Sequence, residues 1–257
     1  MPAMRDSSKA VVKAFWQKTP CGSTHAEAPE GTPEFYEQVA RKRDALEPFI
    51  ADYADFASAR DQEVLEIGVG LGTDLLRFAR AGALVTGIDL TERAVENANR
   101  RLILEGLTGN LRVADAESLP FEDDSFDVVY SWGVLHHTPA PERAIAEAQR
   151  VLRPGGRLCV MLYARHSFVA FALWARYALL VGRPWRSLSY VVAHHMESCG
   201  TRAYSRAELF RAFETLEGCT VEHVATPYDR RVAKPLARLF GSRLGWFLVV
   251  RGIKQTS

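Results

Sequence analysis

Gly68, Gly70 and Gly72 stand at alternate positions after the apolar run "VLEI", with Glu66 inside that run and Thr73 and Asp74 directly behind the last glycine. Without Cβ atoms the chain can turn sharply there and let a ligand approach its main-chain atoms, and free N–H groups at a following helix start can hold a carboxylate. Further on, Asp89 ends the apolar stretch "LVTGID" and Asp115 stands in "VADAESLPF". A carboxylate at the first position can accept two hydrogen bonds from a ribose diol, and one at the second can accept from an exocyclic amine. His136 and His137 follow "FDVVYSWGVL". A tight strand-to-helix turn without a ligand would use the same glycines, so the chemistry rests on their agreement with the acids.

Two nucleotide ligands compete for this pattern. Asp89 lies 17 residues after Gly72, close to the spacing of a ribose-binding acid in a nicotinamide-dinucleotide fold. The third glycine, however, departs from the G-x-G-x-x-G fingerprint, and Glu66 would repel a pyrophosphate. An acid at the glycine turn instead suits a ligand with positive groups, such as the ammonium and sulfonium of S-adenosylmethionine.

Elements to position these residues are legible as an alternation. "EVLEIG", "LVTGID", "LRVADA", "FDVVYSW" and "GRLCVMLY" are apolar runs rich in Val, Ile and Leu. Helical patterns separate them, notably "GTDLLRFARAG", "TERAVENANRRLILEG" and "APERAIAEAQRVL". This is the signature of βαβ units with both sheet faces covered, hence an α/β fold with a doubly wound, mostly parallel sheet whose ligands collect beyond the carboxyl ends of the strands. The expected organisation is an N-terminal helical cap over residues 1–60, with helices from Ser8 to Lys18 and from Phe35 to Ala57, and a main domain over 61–257. Residues 164–204 break the alternation and are expected as an insertion over the strand ends, where selectivity usually resides. "SFVAFALWARYALLVG" is too short for a spanning helix and is expected as a buried or lid helix.

From Glu63 to Tyr163 the chain resembles the class I S-adenosylmethionine-dependent methyltransferases, in particular their small-molecule branch of methyltransferase type 11. It carries "E-x-G-x-G-x-G", "D-A-E-S-L-P-F", "F-D-V-V" and "R-V-L-R-P-G-G" in that order. The resemblance implies a Rossmann-like, seven-stranded sheet whose last strand, "GWFLVVRGIK", is antiparallel. It implies that Glu66 and the backbone of Gly68, Gly70 and Gly72 hold the methionine end, with Thr73 and Asp74 nearby. Asp89 would bind the ribose hydroxyls, Leu90 would pack on adenine, and Asp115 and Ala116 would read its edge. Ser131 and Trp132 would border the sulfonium, Arg150 to Gly156 would form a bend into the fifth strand, and Tyr36 and Arg43 are the cap residues expected to face the cofactor.

Methyl transfer from a sulfonium is an in-line displacement governed by alignment, so a base is required only when the acceptor must lose a proton. Candidates for the acceptor side are His136, His137, Tyr36 and His166, with Tyr204 at the other edge of the insertion; ordinary structural roles are the competing reading for each. His194 and His195 are adjacent, not i, i+4, and no cysteine cluster accompanies them, so no metal site is expected. Cys21, Cys159, Cys199 and Cys219 are scattered without a C-x-x-C pair, the start does not resemble a secretory signal, and a reduced cytoplasmic protein is expected.

Formal charge is +1 over 257 residues. Together with the lack of an N-P-P-Y type signature after the fourth strand, this disfavours nucleic acid as partner. Seven bases against Asp229 between Tyr228 and Ser257 fit a phosphate-bearing or membrane-bound acceptor, with a solvated basic face the favoured explanation. The expected activity is methyl transfer to a small molecule with some apolar surface. A non-catalytic S-adenosylmethionine-binding module and an NAD(P)-dependent oxidoreductase are the alternatives.

Overall fold

The computed structural model describes residues 9–198 and 200–256, so Ser8 and Cys199 lie outside it. Seven strands, β1 (Glu63–Ile67), β2 (Leu84–Asp89), β3 (Asn110–Val113), β4 (Phe126–Trp132), β5 (Leu152–Tyr163), β6 (Leu216–Val224) and β7 (Phe247–Lys254), form one sheet in the order β3-β2-β1-β4-β5-β7-β6. The first five pair in parallel, while β7 runs antiparallel to both β5 and β6. Strand order reverses between β1 and β4, which is where a doubly wound sheet opens a crevice at its carboxyl edge.

Both faces are covered, and the two-residue period of the strands sorts side chains between them. Val64, Val128, Tyr130 and Cys159 join Leu75 and Phe78 of α4 (Thr73–Arg80) and Ala98 and Leu102 of α5 (Glu92–Leu104) in one core. Leu65, Val129 and Leu158 join Ile145 of α6 (Pro141–Arg150) and Leu209 of α9 (Arg206–Ala212) in the other. Central strands buried on both faces are why their sequence reads as unbroken apolar runs.

The cap differs from expectation. After α1 (Lys9–Lys18), a helix over Phe35 to Ala57 is replaced by α2 (Pro33–Leu46) and a short α3 (Ile50–Ala54). Pro48 disfavours helical backbone at Glu47, whose φ of −133° ends the first helix. The bend expected over Arg150 to Gly156 lies mostly inside β5, which begins at Leu152 and shifts register against β4 between Phe126 and Val128, with Gly155 at φ +76°.

The chain leaves the sheet at Ala164 and returns at Tyr204, whose backbones pair in an isolated parallel bridge. Between them "SFVAFALWARYALLVG" makes α7 (Phe168–Trp174) and a π-helical turn over Ala175–Leu179, followed by α8 (Leu188–His195). It is not one buried helix, since Leu179, Leu180 and Val181 are exposed. A last helix, α10 (Pro227–Leu244), packs on α7 and β6. Among the described residues no helix is long and apolar enough to cross a membrane.

Candidate functional site

A cavity of about 470 Å³ opens at the carboxyl edge of the sheet, reached by the loops after β1, β2 and β4 and closed by α1, α2 and the 164–204 segment. The glycines that follow β1 divide the work between them. Gly68 has φ +86°, and a Cβ there would stand 2.3 Å from Val134; at Gly72, φ +69°, it would stand 2.8 Å from the Ala98 backbone. These two positions need glycine for packing. Gly70, φ +51°, is different, since no atom lies within 4 Å of the place its Cβ would occupy, and the bare backbone faces the cavity.

Asp89 fixes the turn from below. Its Oδ2 accepts from the Gly70 N–H at 3.2 Å and its Oδ1 from the Thr91 N–H at 3.0 Å and hydroxyl at 2.9 Å. Burial raises its pKa, and those donors oppose the rise. Glu66 is 4% exposed and its Oε2 has no hydrogen-bond partner. Burial and the neighbouring Asp74 raise its pKa, and Arg43 only partly offsets them. An unpaired buried carboxylate facing a cavity is costly in the free protein and suits a cationic ligand. Behind it, Asp74 accepts from Arg43 at 2.5 Å, Arg77 at 3.3 Å and the Tyr130 hydroxyl at 2.8 Å. Arg101, 5% exposed, donates to Leu71 O, Thr73 Oγ1 and Tyr36 O, so α5 braces the glycine turn against α2.

At the far end Asp115 stands two residues beyond β3. Its Oδ1 accepts from the Glu117 N–H at 2.9 Å, and its Oδ2 is taken by Lys9 of α1, which also reaches Glu117 at 2.8 Å. An amine ligand at Asp115 must therefore share or displace Lys9. Val12, Phe15 and Trp16 of the same helix line the cavity.

The other end is aromatic and acidic. Trp132, 7% exposed, donates its indole N–H to Glu47 Oε2 at 2.7 Å, and Tyr163 stacks on Trp246 at 4.4 Å and donates to Glu197 at 3.3 Å. Burial raises the pKa of the Glu47 carboxyl. Cys21, Met196, Tyr228 and Phe247 complete this end. Cys21 is exposed at the mouth of the cavity.

The residues singled out in the sequence separate cleanly. Glu66, Gly68, Gly70, Thr73, Asp74, Asp89, Leu90, Asp115, Ala116, Trp132, Arg43 and His137 line the cavity. Gly72 sits behind the turn. Ser131 is fully buried, its hydroxyl donating to Ile67 O at 3.0 Å. Tyr36 points away and donates to Asn97 Oδ1 at 2.8 Å, tying α2 to α5. His136 is 0% exposed, packed on Tyr163 with neither ring nitrogen partnered, and burial pushes its pKa well below the ordinary value. His166 is exposed outside the cavity, and Tyr204 does not line it. His137 alone of the acceptor-side candidates faces the space, held at Nδ1 by Ser198 at 2.8 Å and Thr201 at 3.0 Å and by an edge contact with Trp16. Lys9, Trp16, Glu47, Tyr163, Glu197 and Tyr228 are cavity residues that sequence reasoning did not find. Only their place in the loops, helices and the end of β5 that meet at the strand ends brings them there.

Residues 65–160 match the family model of a methyltransferase domain. Over 100 residues the chain is 44% identical to the 27-O-demethylrifamycin SV methyltransferase of Amycolatopsis mediterranei, covering 38% of this chain and 37% of that one. Over 122 residues it is 38% identical to the demethylmenaquinone methyltransferase of Tropheryma whipplei, covering 46% and 50%. The match thus spans about a third to a half of the length of these curated relatives. In fold it resembles a possible histamine N-methyltransferase from Thermotoga maritima, with TM-score 0.56 and 21% identity over 95% of this chain and 100% of that one. It also resembles the [4+2]-cyclase SpnF, with TM-score 0.59 and 20% identity over 96% and 94%. Residues 65–160, which hold the glycine turn, Asp89 and Asp115, are a methyltransferase domain of the class I S-adenosylmethionine-dependent kind, set in the β3-β2-β1-β4-β5-β7-β6 sheet.

Proposed function

We propose that this chain transfers the methyl group of S-adenosylmethionine to a small molecule with apolar surface, releasing S-adenosylhomocysteine. The observation that carries the reading is the continuity of one cavity, from the cradle of Glu66, Gly70, Asp89 and Asp115 to the aromatic end at Trp132, Tyr163 and Tyr228. The cofactor, when bound, supplies an electrophilic methyl carbon. The buried Glu66 carboxylate would hold the ammonium, the Gly70 backbone would lie along the methionine, and Asp89 would meet the ribose. Trp132 would flank the sulfonium, where an aromatic face favours a cation. The stacked aromatics beyond it would orient an acceptor and exclude water, and alignment contributes most of the rate.

His137 does not supply a strong base. Burial lowers its pKa to about 3, so the ring is neutral at physiological pH and takes a proton only weakly. The acceptor is therefore expected to attack without deprotonation by this residue. The kcat/KM profile between about pH 6 and 8 should show no limb from this imidazole, and its shape should survive in His137→Gln. A limb in that range that disappears in the variant would restore the base.

Binding comes first in the test. Calorimetry should give saturable binding of S-adenosylmethionine and S-adenosylhomocysteine, weakened about tenfold or more in Gly70→Val, whose side chain would enter the cradle. No binding to folded wild-type protein would remove the reading. Binding of both ligands without turnover of any amine, hydroxyl or carbon acceptor would favour the non-catalytic module.

A further inference from the structure

The 164–204 segment and α10 present an unusual face. Phe171, Leu179, Leu180, Val181 and Trp185 are exposed at 42–80%, with Leu180 at 80% and Trp185 at 77%. α10, kinked at Ala233, adds Tyr228 and Val232 before the kink and Leu236, Leu239 and Phe240 after it, the last three sharing a face at i, i+3 and i+4. Contact between α10 and α7 makes the two groups neighbours. Apolar side chains this large gathered on adjoining elements mark an interaction surface, not the scatter found on any protein.

Charge identifies the partner. Arg176, Arg183 and Arg186 lie on the first group, and Arg230, Arg231, Lys234, Arg238 and Arg243 on α10. Residues 168–196 contain no Asp or Glu, and the one acid of α10, Asp229, is 0% exposed and consumed in capping Thr226 and holding the Trp246 N–H. Among the described residues none of these eight bases makes an ion pair. A net excess of bases over a chain of charge +1 means that cations are concentrated here and acids elsewhere. Apolar side chains, a tryptophan and arginines whose charge no carboxylate offsets among the described residues together suit a surface that is hydrocarbon below and anionic above.

We propose that the face formed by α7, the Leu179–Trp185 turn and α10 docks on an anionic lipid membrane. The Leu179–Trp185 side chains would insert at the level of the headgroups while the arginines meet lipid phosphates. Val169 of α7, Met196 just past α8 and Tyr228 of α10 line the aromatic end of the cavity, so docking places that end against the bilayer. This inference is independent of the reaction, because the surface lies outside the cofactor cradle.

The test is sedimentation of the full chain with phosphatidylcholine vesicles, with and without about one-third phosphatidylglycerol. Uptake should appear only with the anionic lipid and fall steeply as salt is raised to about 1 M. The pairs Leu180→Asp with Trp185→Asp, and Leu239→Asp with Phe240→Asp, should each lower uptake about tenfold or more. All four positions are exposed, and unchanged circular dichroism and cofactor affinity would establish that the variants fold. Wild-type protein left in the supernatant, equal uptake by neutral vesicles, or undiminished uptake by both variants would overturn the proposal. So would a dimer that these substitutions dissociate in the absence of vesicle binding, since a second copy would then cover the face.

Discussion

Glu66→Gln should make the ligand-free protein more heat-stable and, at the same time, a poorer binder of S-adenosylmethionine. The carboxyl sits 4% exposed at the end of β1, its Oε2 without a partner and Asp74 close enough to raise its pKa further. A folded-state pKa above the unfolded value of about 4.3 means that the native state holds this proton more tightly than the unfolded chain does. Its contribution to stability is thus present at low pH and lost as pH rises through the folded-state value, leaving the largest penalty at neutral pH. Removing the charge should recover about 1 kcal/mol or more near neutrality, about 2–4 °C in midpoint for a chain of this size, and the gain should shrink toward about pH 4. The same substitution removes the anion that faces the ligand's ammonium, and affinity should fall about ten- to a hundredfold, the worth of a charge-assisted hydrogen bond. Differential scanning fluorimetry across pH with parallel calorimetry checks both halves. A variant that is less stable at neutral pH and binds as before would show that Glu66 serves the fold and not the ligand.

That strain explains why the cradle was legible in the sequence while the opposite end was not. Glycines with no tolerance for a side chain, and acids at strand ends, are local requirements: Gly68 and Gly72 are excluded from other residues by Val134 and Ala98, and Asp89 meets Gly70 across the same turn. The parallel strands were equally legible because burial on both faces forces continuous apolar runs. The aromatic end is assembled from α1, the loop after α2, β5, the 164–204 segment and α10, so Glu47, Tyr163, Glu197 and Tyr228 meet only through tertiary contacts between distant parts of the chain. Nothing in their spacing announces it. Histidines misled for a related reason. In sequence His136 and His137 are equivalent neighbours, but a turn of 3₁₀ helix over Leu135–His137 sends one into the core against Tyr163 and the other toward Ser198 and Thr201. α10 is not legible in the sequence because Pro235 and Gly241 interrupt its helical pattern.

Asp74→Ala should cost about 3–5 kcal/mol, which for a chain of this length lowers the thermal midpoint by about 10 °C. Asp74 is 2% exposed and carries three donors from three elements: Arg43 of α2, Arg77 of its own helix and the Tyr130 hydroxyl of β4. Truncation strands the Arg43 guanidinium and the buried Tyr130 phenol, while Arg77 keeps Asp44, and an uncompensated buried charge costs more than the pair itself contributed. Burial alone would raise the pKa of this carboxyl, but Arg43 and then Arg77 and Tyr130 hold it below the ordinary value. A depressed folded-state pKa contributes stability that is fully present above the unfolded value of about 3.9 and is lost as pH falls through the folded one. The gap between wild type and variant should accordingly be widest near neutrality and close in strong acid, opposite in sign to the behaviour of Glu66→Gln. Asp74→Asn, which keeps an acceptor for Tyr130 but removes the charge, should fall between. Chemical denaturation at several pH values checks the order. A loss under about 1 kcal/mol in Asp74→Ala would show that Arg43 and Arg77 find water or Glu47 instead, and that α2 is not clamped to the glycine turn through this carboxylate.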